Sequence, residues 1–209
     1  MLSPDTFLLF LTASLLLCLA PGPDNIFVLT QSMLRGTASG ILVTLGLCTG
    51  LLVHTSAVAL GVAVIFQESL LAFTILKLCG AAYLLYLAWG AFRAGASGLG
   101  TVNHAAPLDK IALYRRGIVM NITNPKVSIF FLAFLPQFAN PASGYLKLQL
   151  MELGGIFIGC TLLVFGSISL LAGKLGRWFS QSPKAEVVMN RIAGGVFAAL
   201  AVKLALTQR

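Results

Sequence analysis

Two short segments of the chain concentrate residue types that could do chemistry: Pro21-Gly22-Pro23-Asp24-Asn25 and Asn121-Ile122-Thr123-Asn124-Pro125-Lys126. Each combines proline, amide side chains and one charge, and the charges are opposite in sign. A carboxylate and an ammonium among amides can hold a small solute carrying both charges, and the carboxylate can also take up a proton. The prolines add to this chemistry, because each removes a backbone donor and breaks the helix that carries it, leaving carbonyls without partners. The candidate site residues are therefore Pro21, Gly22, Pro23, Asp24, Asn25, Asn121, Asn124, Pro125 and Lys126, with His54 and Glu152 as further candidates.

Other chemistries fit less well. A metal site is not expected, because one carboxylate and one lysine make a poor ligand set, and no cofactor motif is present. Cys18, Cys48, Cys79 and Cys160 each lie in a different apolar stretch with no C-x-x-C pair, so a membrane-embedded thiol-disulfide carrier would need Cys18 to find a distant partner. With only His54 and His104, and no H-E-x-x-H or glycine-serine elbow, an enzyme is not expected. His54 reads either as a proton relay or solute contact, or as a neutral histidine bonded to a neighbouring helix. Glu152 reads either as a partner of Lys77 or as a group reaching the interface.

The elements that position these residues follow from composition. Of 209 residues 58% are hydrophobic and 10% charged, with a mean hydropathy of +0.93, too few charges to cover a water-facing globule. The net charge of +8 is dispersed, with Arg115-Arg116 the only adjacent pair, which argues against a nucleic-acid partner. Continuous apolar runs point to helices that cross a bilayer, each needing about 20 residues. Six are expected: Thr6 to Met33, Ile41 to Phe66, Leu70 to Phe92, Gly117 to Phe138, Leu148 to Leu171 and Val187 to Leu206. The first is expected to be retained, because no basic residue precedes Arg35 to form a signal sequence.

Lys and Arg gather in the odd-numbered connections, which places these in the cytoplasm and both termini outside. The stretch from about 94 to 116 then reads as a cytoplasmic linker between a first repeat, about 1–93, and a second, about 117–209, within one transmembrane domain. A distance of 102 residues separates Pro23 from Pro125, and three helices per half require the second half to enter with opposite orientation. The expected fold is thus an all-α integral membrane protein of six transmembrane helices in two inverted three-helix repeats, helices one and four broken at proline. Cys48-Thr49 and Cys160-Thr161 echo each other in spans two and five. A charge near a bilayer midplane costs at least ~2.5 kcal/mol unless paired or hydrated, so Asp24 and Lys126 demand a function that end-of-helix charges do not.

Pro21-Gly22-Pro23-Asp24, Gly80-Ala81-Ala82-Tyr83-Leu84 and Asn121-Ile122-Thr123-Asn124-Pro125-Lys126 together resemble the LysE/RhtB amino-acid exporters, in particular the branch that exports homoserine, its lactone and threonine. The likeness spans essentially the whole chain. It implies a bacterial inner-membrane exporter of amino acids or close derivatives, driven by protons, with the bilayer as its other partner. In such a protein a half-helix N-terminus and Lys126 would receive the substrate carboxylate, and Asp24, Asn25 and freed carbonyls its ammonium. The alternatives are the thiol-disulfide carrier and an exporter of cations. Small residues on several spans would also allow a homodimer.

Overall fold

The computed structural model describes residues 2–62, 70–95, 109–181 and 183–206. Among them all regular structure is helical: α1 (Pro4–Leu19), α2 (Pro23–Arg35), α3 (Thr37–Ala57), α4 (Leu70–Arg93), α5 (Lys110–Thr123), α6 (Pro125–Ile129), α7 (Leu146–Gln181) and α8 (Pro183–Leu206). α3 runs on into a π turn at Val58–Val62, and α6 into a π turn at Phe130–Phe134 and a 3-10 turn at Leu135–Phe138.

The local causes are readable. Ser3 caps α1 by accepting from Thr6 N at 3.2 Å, and α1 ends where Pro21 and Pro23 withhold their donors. Pro23 then opens α2, a position that a proline's fixed φ suits. Gly36, at φ +85°, ends α2, a left-handed conformation that a side chain would strain. Asn124, in extended conformation, ends α5 and caps α6, where Pro125 occupies the first turn. The two breaks bend α1 against α2 by 60° and α5 against the segment from Pro125 to Phe138 by 52°. Helices of α3, α4, α7 and α8 are each long and apolar enough to cross a membrane, which makes four spans, or six if each bent pair is one.

Two boundaries differ from expectation. α5 begins at Lys110, so Arg115 and Arg116 stand on a helix that starts before the expected span at Gly117. The cause is Asp109, whose carboxylate accepts from Ala112 N at 2.6 Å and nucleates the helix ahead of its apolar part. α7 likewise continues past Leu171 to Gln181. Residues 96–108 of the expected linker, with His104, and the expected end of span two at Phe66 lie outside the described residues.

α3 is the central element, packed on α2, α5 and α7, while α1 lies against α7 and α8, and α4 against α8. The α3–α5 contact depends on glycine. A methyl group at Gly46 would run into the Tyr114 carbonyl, and one at Gly117 into the Val43 carbonyl. Where backbones meet this closely no side chain can yield, the usual basis of small-residue packing in membranes. Gly117→Ala is therefore expected to lower the melting temperature of the detergent-solubilised protein by about 5 °C, from about 2 kcal/mol of overpacking. Gly155→Ala, into open space, should leave it unchanged; equal melting temperatures for the two variants would remove the packing argument.

Phenylalanine rings form a continuous stack beside α7. Phe157 meets Phe130 and Phe131 at centroid distances of 5.1 Å, Phe130 meets Phe134 at 5.0 Å, and Phe134 and Phe10 each meet Phe138 at 5.0 Å. The Lys203 ammonium lies 4.3 Å over the Phe138 ring at the far end.

Candidate functional site

The broken helices bring their two motifs together. Proline at position 21 deprives the Leu17 carbonyl of the donor that a continuous helix would supply, and Lys126 replaces it: Nζ donates to Leu17 O at 3.3 Å and to Ala20 O at 3.1 Å. Asn25 supplies the same service locally, its Nδ2 donating to Cys18 O at 2.8 Å. The carbonyl end of α1, negative by its dipole, is thus tied down by a lysine from a segment 106 residues away.

Asp24 is buried and lies across the same gap. Asn124 Nδ2 donates to its Oδ2 at 2.8 Å, while Asn124 Oδ1 caps α6 by accepting from Lys126 N at 3.0 Å. One amide therefore fixes the carboxylate of the first break and the backbone of the second. Among the described residues Asp24 Oδ1 finds no hydrogen-bond partner, and neither do Asn25 Oδ1 and Asn121 Oδ1. Buried acceptors left unpaired cost about 1–3 kcal/mol each, and these three oxygens can accept from a donor such as an ammonium.

The N-termini of the two half-helices differ. That of α6 is closed by Asn124, whereas α2, capped by Gly22, has no side chain on its first amides. The Lys126 ammonium hangs over this open end, since a Cβ added at Gly22 would meet Nζ at 3.3 Å. Amides with no side-chain cap, the positive end of a helix and an ammonium nearby are together the chemistry that can receive an anion.

Between these groups is a cavity of about 20 Å³, lined by Asp24, Asn121 and Lys126 together with Leu17, Cys18, Leu47, Val127, Phe157, Thr161 and Phe165. It holds about one water molecule. A solute of amino-acid size enters only if α1/α2, α3, α5/α6 and α7 part, because all of them contribute to the wall and α4 and α8 do not.

Of the residues singled out by sequence, Asp24, Asn121 and Lys126 reach the cavity, Asn124 and Asn25 hold the frame, and Pro21, Gly22, Pro23 and Pro125 shape the breaks. His54 stands one layer back: its Nε2 lies 3.3 Å from the Asn121 carbonyl oxygen and its ring packs on Phe131 at 5.6 Å. Glu152, half-buried on α7, is not part of the cavity wall. Thr161 was missed as a site residue; its sequence signal was the repeat of Cys-Thr in spans two and five. Cys18, buried, lies 3.6 Å from Thr161 Oγ1, and all four cysteines are free. Among the described residues no three His, Cys, Asp or Glu side chains converge as a metal site would require.

The LysE type translocator family matches residues 15–208 of the chain. The homoserine/homoserine lactone efflux protein of Salmonella typhimurium is 36% identical over 197 residues, 94% of each chain. A leucine efflux protein of Salmonella typhimurium is 25% identical over 199 residues, 95% of this chain and 94% of its own. A membrane protein of Vibrio cholerae is 31% identical over 199 residues, 95% of this chain and 96% of its own. No solved structure matches the chain.

Proposed function

The chain belongs to the LysE type translocator family, and from that premise we propose that it exports neutral amino acids or close derivatives, homoserine and threonine among them, from the bacterial cytoplasm in exchange for protons. The observation that carries this reading is that one and the same cavity is walled by an Asp24 carboxylate, one oxygen of which has no partner among the described residues, and by Lys126 above the uncapped N-terminus of α2. A zwitterion matches both ends. Its carboxylate goes to Lys126 and the α2 amides, and its ammonium to Asp24 Oδ1 and the Asn25 and Asn121 amide oxygens. Efflux of homoserine and of leucine by relatives supports an α-amino acid as the common element.

Proton coupling follows from competition. A proton entering Asp24 from outside cancels the charge that holds the ammonium, and the carrier returns loaded with that proton. Exchange of one proton for a neutral zwitterion moves one charge, about 2.3 kcal/mol per 100 mV, enough for a gradient of about 50-fold.

The transporter is read as six spans in two inverted repeats of the inner membrane, with both termini outside. Pairing of helices favours this: α3 packs on α5 as α7 packs on α1, and α3 and α7 meet each other. Thr49 bonds Tyr114 of the second bent pair at 2.7 Å, and Thr161 meets Cys18 of the first. Asp24 and Lys126 occupy equivalent places, each directly after the proline of its break. In proteoliposomes with an imposed proton gradient, radiolabelled homoserine should move against the protons and accumulate; failure of every neutral amino acid tried to move would overturn the reading.

A further inference from the structure

We infer that Thr161 is a specificity-determining residue which favours a substrate side chain ending in a hydroxyl over an aliphatic one of the same shape. The inference rests on the transport reading above. Once Lys126 has taken the carboxylate and Asp24 and Asn121 the ammonium, a substrate side chain is left facing the rest of the cavity wall: Leu17, Leu47, Val127, Phe157 and Phe165, with Thr161 and Cys18 the exceptions.

The hydrogen bonds of Thr161 determine what it offers. A hydroxyl has one proton and two acceptor lone pairs. The proton is committed to the Phe157 carbonyl at 2.9 Å, one turn back on α7. Thr161 Oγ1 therefore meets the cavity as an acceptor, and the thiol of Cys18, 3.6 Å away, is the donor to it. A thiol is a weak donor, so a substrate hydroxyl displaces it with little loss. A methyl group in the same place leaves the oxygen with the thiol alone and gains nothing from it.

Homoserine and norvaline test this directly, because they differ only by a hydroxyl in place of a methyl. Competition between them for proton-driven transport in proteoliposomes should show wild type preferring homoserine. Thr161→Val, equal in volume and without the oxygen, should cut that preference about fivefold, the worth of one neutral hydrogen bond. Thr161→Ser should restore it, and Cys18→Ala, which frees the acceptor, should raise it. An unchanged homoserine-to-norvaline ratio in Thr161→Val, or no preference in a wild type that carries both, overturns the inference and leaves the transport reading standing. Movement of neither solute removes both.

Discussion

Replacement of Asp24 by asparagine is expected to abolish proton-driven accumulation, bringing a gradient of about 50-fold down to about 1. Asparagine keeps the size and can still bond Asn124, so the break retains its shape, but it neither binds a proton nor attracts an ammonium. Two effects should separate. Substrate affinity falls by about 10- to 100-fold, because a hydrogen bond to a charged acceptor is worth about 1.5–3 kcal/mol. Coupling fails outright, since no competition remains. In wild type, apparent affinity should rise with pH as the carboxylate loses its proton to solvent and becomes free for the ammonium; in Asp24→Asn it should be flat. Undiminished accumulation in the variant would sink the coupling role, whatever the affinity.

Lys126→Met is expected to raise the KM for amino acids by about 10- to 100-fold, for the same charge-assisted term applied to the carboxylate. It also leaves the Leu17 and Ala20 carbonyls without their donor, at about 1–3 kcal/mol each, so the melting temperature should fall by several degrees. The two losses are told apart with substrate analogues. An amino-acid methyl ester keeps the ammonium and lacks the carboxylate charge, so the variant should discriminate against the free acid and much less against the ester. A KM that rises equally for both would assign Lys126 to the frame alone. Lys126→Arg keeps charge but carries a larger, planar group and should recover only part of the binding.

Much of the candidate site is legible in the sequence. Prolines 21, 23 and 125 announce broken helices because their missing donors are a covalent fact, and Asp24 and Lys126 stand out because a membrane interior tolerates few charges. What Lys126 bonds was not legible: its partners are backbone carbonyls 106 and 109 residues away, determined by how α1 and α6 cross. The apolar wall was hidden for a different reason. In a bilayer both the buried and the lipid-facing sides of a helix are apolar, so hydrophobic periodicity carries little information about which side is which. Phe157 thus looks no different from Leu162 and Leu163, which are exposed. Helix ends erred where a cap outweighed composition, as Asp109 does for α5.

The phenylalanine stack has a consequence for energy conservation. If water reached Asp24 from both faces of the membrane at once, protons would run through the protein carrying nothing, and the cell would lose its gradient through every copy. From Phe157 at the cavity through Phe130 and Phe134 to Phe138, the rings offer no group that can hold a water chain in place. In the proposed exchange they act as electrical insulation on that side of the site, so a proton would pass only when the helices carrying the rings move apart. Under the proton-exchange reading a leak would be as slow as the conformational change itself, and the membrane potential would be spent on transport.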